Sequence, residues 1–214
     1  MKVDLRHADL EAFTRFVFNH PVPVAKDEPQ WYFKEHLEVE YEPRNQVRLI
    51  RELLTSAESL PKSFTTPQIE QGLWFLFTPT DDYFTRLLWA PPVPWSERAA
   101  CIGAIGVLYS DLFPHIEVET IDCMIPDLLA DSYGFGDRDS QNTEDHHVQE
   151  ALFSLFTELL RSPNPDTQYA GLHGLGHLAH PKGREAIVEY LRETPKISEA
   201  LRSYAAEAMA GDVL

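Results

Sequence analysis

The chain has 214 residues, 43% of them hydrophobic, so it is long enough to bury a substantial core. It carries 34 acidic and 18 basic residues, a formal net charge of −16. Because nucleic-acid binding depends on basic side chains that displace counterions from phosphates, this charge argues against a nucleic-acid partner. The first nine residues include several charges, and no apolar stretch follows that could act as a signal sequence or a membrane span. We therefore expect a cytoplasmic protein without membrane contact.

Residues 1–60 predict an irregular N-terminal region of helices and loop. Apolar residues recur at helical spacing over 9–18 and predict a short amphipathic helix that ends before a proline-containing breaker. Residues 31–41 mix aromatic and charged side chains, and their alternation leaves open a short extended piece or an irregular loop. A proline then opens a helix predicted over 43–57.

Residues 61–214 predict stacked helical hairpins. Thr66 and the proline after it begin a strongly apolar helix that ends before residue 79, and Asp81 can cap a shorter helix that continues to residue 89. After a proline-rich turn, a helix rich in small residues is predicted over 96–113, with a partner over 115–131.

A polar loop is predicted over 134–145, where Phe135 is the single apolar residue. The loop lies in the most acidic part of the chain, since nine acidic residues and one basic residue between Glu119 and Glu150 give a local net charge of −8. This asymmetry indicates either a surface for a basic protein or an acidic segment that maintains solubility. The residues that we expect near a basic partner are Asp137, Asp139, Glu144 and Asp145.

The segment 164–191 predicts a helical hairpin with a very short turn. An asparagine cap and a proline begin its first helix, and His180-Pro181 ends it. The second helix is predicted over 183–193. The string 175–181, Leu-Gly-His-Leu-Ala-His-Pro, is similar to the end of the first helix in HEAT-like repeats, particularly those of the phycobilisome-lyase type. Two departures are Thr167-Gln168 in place of a valine-arginine pair and His180 in place of the usual turn aspartate.

This resemblance covers residues 164–193. It implies an all-α protein, a HEAT/ARM-like superhelix of stacked antiparallel helices, in which a further helix over 196–210 would cap the array. We expect a single helical domain over 1–214. Surfaces formed by such stacking usually bind other macromolecules.

Three histidines offer the best metal candidate in the sequence. His173, His177 and His180 are spaced i, i+4, i+7 on one side of a predicted helix, with Tyr169 on the same stripe. Imidazoles at i and i+4 can chelate zinc. The alternative is a packing or surface role, because no glutamate of an HExxH motif accompanies them and histidines near helix C-termini are favoured by the helix dipole.

Other sites receive less support from the sequence. Cys101 and Cys123 form no CxxC motif and lie in apolar helical patterns, so we expect buried free thiols. No nucleophile elbow, phosphate-binding loop or dinucleotide motif is present, and no cofactor is predicted. Trp89 and Trp95 flank the proline run, and we expect both to be exposed and available to a partner.

The leading functional hypothesis is a non-enzymatic protein-binding module, most concretely an acidic immunity or antitoxin-like inhibitor of a basic bacterial protein. One alternative is a metal-dependent enzyme built around His173, His177 and His180. Another, implied by the resemblance, is a HEAT-like scaffold or lyase-type chaperone. The oligomeric state is left open.

Overall fold

The computed structural model describes residues 2–25, 27–34, 37–78, 85–89, 92–133 and 142–213, without the side chains of Lys34 and of residues 131–133. The chain is mostly helical, which confirms the all-α class. It divides into two compact units, Met1–Ile121 and Asp122–Leu214, each described below by itself. The single domain expected over 1–214 stays a prediction.

The first unit combines short helices with one small sheet. Its two strands, β1 (Lys2–Asp4) and β2 (Glu38–Glu40), pair in parallel with Val3 opposite Val39. The helices are α1 (Leu10–Phe18), α2 (Trp31–Lys34), α3 (Pro43–Thr55), a 3₁₀ helix (Ala57–Lys62), α4 (Thr66–Phe77), α5 (Arg86–Trp89), α6 (Trp95–Ala104), a π-helical segment (Leu108–Leu112) and a 3₁₀ turn (Phe113–His115).

Side-chain caps explain where the main helices of this unit begin. The Asp9 carboxylate accepts a hydrogen bond from the Ala12 N–H at 2.8 Å at the start of α1. The Glu42 carboxylate accepts from the Asn45 N–H at 2.7 Å ahead of α3, and Thr65 forms a capping box with Gln68 at the start of α4. The helices over 9–18 and 43–57 are therefore confirmed within two residues at each end. The cap of α4 lies one residue earlier than predicted.

Two predicted helices of this region differ in the structure. The helix predicted over 96–113 is regular α-helix only as far as Ala104. Ile105 and Val107 keep right-handed helical backbone angles, and the chain then continues as the π-helical segment Leu108–Leu112. The helix predicted over 115–131 begins only at Ile121. The backbone N–H groups of Glu119 and Thr120 donate to the Glu70 carboxylate at 2.8 and 3.0 Å, which holds the preceding segment in a loop. The cap predicted at Asp81 lies outside the described residues.

The core of the first unit comes from the apolar faces of α1, α3, α4 and α6. Its fully buried side chains include Phe13, Phe18, Leu49, Leu53, Leu54, Ile69, Leu73 and Ile102. Beside them an aromatic group joins α1, α2 and α4, in which the His20 ring stacks on Trp31 with centroids 3.6 Å apart.

The second unit consists of helices in the part that the structure describes. They are α7 (Ile121–Tyr133), α8 (Thr143–Leu159), α9 (Pro165–Leu178), α10 (Gly183–Glu193) and α11 (Glu199–Ala210). The hairpin predicted over 164–191 is confirmed as α9 and α10. The turn between them places Ala179 in the left-handed region, at a φ of 45°.

The predicted polar loop ends earlier than expected. Asn142 caps α8 by accepting from the Glu144 N–H at 3.0 Å, so Glu144 and Asp145 belong to the first turn of a helix rather than to the loop. Acidic side chains are favoured there, because they complement the partial positive charge of a helix N-terminus. Residues 134–141 lie outside the described part of the chain.

Glycines allow the neighbouring helices to approach α9 closely. A Cβ atom at Gly174 would lie 2.8 Å from both the Phe156 ring of α8 and the Cβ of Pro126 on α7. A Cβ at Gly176 would lie 2.7 Å from the Val213 side chain, after α11. Real Cβ atoms rarely come so near to other atoms. The close packing of α9 against its neighbours therefore requires glycine at these two positions.

Candidate metal centre

Two helices of the second unit bring three potential metal ligands together. Asp127 on α7 and His173 and His177 on α9 each offer one ligand atom, and these atoms all lie within 4.8 Å of one another. The Nε2 atom of His177 is 3.2 Å from an Asp127 carboxylate oxygen. The two imidazoles meet edge to face, with centroids 4.6 Å apart. Below, this group is called the His-Asp cluster.

The local sequence explains why these side chains converge. His173 and His177 are one turn apart, so both point from the same face of α9. Gly174 lies between them and admits Pro126 of α7 to close contact with α9. Asp127 follows Pro126 directly, and the close approach of the two helices therefore carries its carboxylate to the histidines.

The cluster has a buried floor and an accessible rim. His173 is 4% exposed. The side chains of His177 and Asp127 are 29% and 26% exposed. An ion held here would be anchored in the interior and still reach solvent on one side.

The two ring nitrogens of His173 have different surroundings. Its Nδ1 forms a hydrogen bond with the hydroxyl of Tyr204, on α11. Its Nε2 is buried and has no hydrogen-bond partner among the described residues. A buried polar atom without a partner costs free energy, and ligation of a metal ion would satisfy it. In that state Nδ1 carries the proton and donates it to the Tyr204 oxygen.

Electrostatics favour the protonation states that ligation needs. Burial lowers the pKa of His173, the neighbouring His177 lowers it further, and Asp127 partly opposes both effects. The imidazole therefore stays neutral to lower pH than an ordinary histidine and keeps a lone pair for a metal. Burial, and then hydrogen bonding with Tyr169, raise the pKa of Tyr204, so its phenol stays protonated. Tyr169 also stacks on Tyr204, with centroids 4.1 Å apart.

The structure does not place His180 with the other two histidines. Its ring is buried beside Phe153, with centroids 4.1 Å apart, because the chain reverses direction at Ala179. The Lys182 N–H donates to its Nδ1 at 3.2 Å, and its Nε2 donates to a Glu150 carboxylate oxygen at 3.1 Å. Both nitrogens have partners, which indicates a packing role for His180.

Asp127 is the member of the cluster that sequence reasoning missed. In the sequence it is one of the nine acids between Glu119 and Glu150. No local motif links it to histidines more than 40 residues away in sequence. The glycines of α9 were the available signal, since they mark where another helix can come close.

The residues that we expected to contact a protein partner differ in how exposed they are. Glu144 and Asp145 are half-buried in the first turn of α8, and Asp137 and Asp139 lie outside the described residues. The exposure expected for Trp89 is wrong, since its side chain is 4% exposed in the interior of the first unit.

Trp95 is half-buried, and the Arg98 guanidinium lies 5.1 Å from its ring centroid. Its indole is thus partly covered within the first unit, and only part of the ring could meet a partner.

Both cysteines are free, as expected. Cys101 is fully buried, and burial raises the pKa of its thiol to about 12. Cys123 is half-buried on α7, one turn before Asp127, so the expectation of burial holds for it only in part.

No protein-family model, curated protein or solved structure matches the chain. Within the described residues, none of the helices has the length and apolar character required to span a bilayer.

Proposed function

We propose that this protein binds a divalent transition-metal ion through Asp127, His173 and His177. The observation that carries the proposal is the buried Nε2 of His173, which lacks a partner among the described residues and belongs to a group of ligand atoms within 4.8 Å of one another. Two imidazoles and one carboxylate form a ligand set that suits zinc, and that also serves iron in open sites. The proposal keeps two ligands of the metal-dependent enzyme that the sequence offered as an alternative, His173 and His177, and has Asp127 in the place of His180.

Calorimetric titration of the metal-stripped protein with zinc tests this proposal. We expect one zinc ion per chain, and a loss of affinity of at least about 100-fold in His173→Gln and in His177→Gln, since losing a ligand should weaken binding more than losing a residue that only orients a ligand. His115→Gln is the matched control, because His115 is an exposed histidine in the first unit. Absence of stoichiometric binding by the wild-type protein, or equal binding by all variants, contradicts the proposal.

A second candidate function is the capture of a basic protein, most concretely as an acidic immunity or antitoxin-like inhibitor in the cytoplasm. It is supported by the local net charge of −8 between Glu119 and Glu150. Such a field attracts and steers a cationic partner, chiefly by raising the association rate. A metal centre in the same unit is compatible with this role.

Partner capture from the native cell, followed by stopped-flow association, tests the second candidate. Neutralising Asp137, Asp139, Glu144 and Asp145 together should slow association and flatten its salt dependence. Neutralising four exposed acids elsewhere is the control, because it changes the net charge equally; these are Glu185, Glu189, Glu193 and Glu207. An association rate equal in both quadruple variants argues against a specific role for the acidic segment.

We also propose that α9, α10 and α11 form one diverged HEAT-like unit of stacked helices. The short turn after Leu178 and the close contacts at Gly174 and Gly176 support this interpretation. A scaffold role is the function that such stacking would imply.

A further inference from the structure

The number and exposure of the groups in the His-Asp cluster bear on what kind of metal site it is. Among the described residues the group that could hold an ion consists of three side chains. Structural zinc sites are closed by four protein ligands, whereas catalytic sites use three and leave a position for water or substrate. The cluster has the composition of the second kind.

The described side chains that neighbour the cluster do not complete the ligand set. The Tyr204 hydroxyl is already hydrogen-bonded to Nδ1 of His173. Cys123 lies one turn before Asp127 and is close enough to influence Tyr204 electrostatically, but it is not a member of the cluster. The partly exposed side chains of Asp127 and His177 form the rim, so solvent and small molecules can reach an ion from that side.

Charge indicates which molecules would occupy the free position. A divalent ion with one carboxylate and two neutral imidazoles has a local net charge of +1, within a chain whose net charge is −16. Because the charge of a bound ion dominates the field at such short distances, an anion is attracted there despite the acidic surroundings.

We infer that the ion held by Asp127, His173 and His177 keeps a coordination position open to solvent, and that this position binds a small anionic ligand such as a carboxylate or a phosphate oxyanion. The inference rests on the metal binding proposed above and specifies the kind of ligand that the site takes. A site of this kind presents a metal-bound water or substrate oxygen at the protein surface. It differs from a structural metal site, which only holds helices together.

Cobalt(II) substitution with azide as the probe tests the inference. The full chain is loaded with one equivalent of cobalt, and its visible absorption is followed during addition of azide. We expect a saturable shift of the cobalt bands and a new azide-to-cobalt charge-transfer band, both reversed by excess acetate or phosphate. Cys123→Ser should respond as the wild type does, and His173→Gln should show no response.

The outcomes separate the two proposals. Bound cobalt whose spectrum is insensitive to azide overturns the open position while metal binding stands. A thiolate-to-cobalt band in the near ultraviolet that disappears in Cys123→Ser also overturns it, because Cys123 would then close the site. Absence of cobalt and zinc binding overturns both proposals together.

Discussion

The two units of this chain each bury a cationic or ionisable side chain, with opposite consequences. In the first unit Arg98 is 2% exposed, and its guanidinium donates to the carbonyls of Val93 and Leu88 at 2.9 and 3.2 Å. In the second unit His173 is 4% exposed, and its Nε2 has no hydrogen-bond partner among the described residues. The two side chains are similarly buried. Arg98 is held by hydrogen bonds, whereas the Nε2 atom of His173 remains available to a ligand.

Incomplete hydrogen bonding alone does not distinguish the units. Gln46 in the first unit is 1% exposed, and neither polar atom of its amide has a partner in the part of the chain that the structure describes. An amide is a poor ligand for transition metals, and Gln46 does not belong to a group of ligating side chains within the described residues. What distinguishes His173 is the convergence of a second imidazole and a carboxylate on the same point.

The largest effect that we expect is a loss of stability when the buried Arg98 side chain is removed. Arg98→Ala should lower the free energy of unfolding of the first unit by about 3–4 kcal/mol, since it removes charge-assisted hydrogen bonds and leaves a cavity. Urea unfolding followed by tryptophan fluorescence measures this, because the four tryptophans all lie in residues 1–121. Arg44→Ala is the control: its pair with Glu97 lies at the surface, where solvent screens it, so this substitution should change the free energy of unfolding far less than Arg98→Ala does. Equal effects of the two substitutions would contradict this view of Arg98.

A smaller effect is expected from the packing around α9. Gly174→Ala should destabilise the second unit by about 1–3 kcal/mol, because the added Cβ would lie 2.8 Å from Phe156 and Pro126. Gly103→Ala in α6 is the matched control. Its Cβ would meet no atom within 4 Å, so that substitution should stabilise the chain by about 0.5–1 kcal/mol. Urea unfolding followed by circular dichroism gives both values, and a stabilising Gly174→Ala would show that α7 and α8 are free to move away from α9.

The two units also differ in how much of their structure could be predicted from the sequence. The hairpin of α9 and α10 was predicted to within a few residues, because an asparagine cap, a first-turn proline and the His180-Pro181 break are local signals. Two members of the His-Asp cluster followed from helical spacing in the same way. Asp127 did not, because its place depends on how α7 packs against α9, and no spacing along the chain encodes that contact.

The structure of the first unit was harder to predict, because several of its features depend on contacts between residues that are far apart in sequence. Strand β1 covers only Lys2–Asp4, too short for an alternating pattern, and it forms by pairing with a strand more than 30 residues away. The loop over Glu119 and Thr120 depends on the Glu70 carboxylate, which lies on α4 and is about 50 residues away in sequence. The burial of Trp89 likewise follows from tertiary contacts, whereas its neighbouring prolines suggested exposure.

Within the second unit the contact between His173 and Tyr204 can be tested without disturbing the ligands themselves. Tyr204→Phe removes the oxygen that accepts the Nδ1 proton, so zinc affinity should fall by about 10–100-fold. Tyr190→Phe is a matched control, because its hydroxyl donates to Gln168 at 2.9 Å, away from the cluster. Calorimetric titration of both variants should show a loss of affinity only in Tyr204→Phe. An equal affinity in the two variants would mean that Tyr204 does not position His173.

The smallest expected effect is a pH dependence of the first unit. Burial lowers the pKa of His20 below its usual 6.5, and the hydrogen bond that its Nε2 donates to the Phe16 carbonyl at 2.6 Å only partly opposes this. Between the lowered pKa and 6.5 the unfolded chain binds more protons than the folded one, so stability decreases as the pH falls. The contribution is fully present above 6.5 and is lost as the pH falls through the folded value.

Tryptophan fluorescence isolates this effect, because it reports the first unit and not the second, where His173 also has a lowered pKa. The urea midpoint of the wild type should fall between about pH 7 and about pH 5, the range in which histidines titrate. His20→Gln should show a flatter dependence, whereas His7→Gln, at an exposed position, should follow the wild type. If the slopes of His20→Gln and wild type coincide, the stack of His20 on Trp31 tolerates the charged ring, and the acid sensitivity of the first unit has another source.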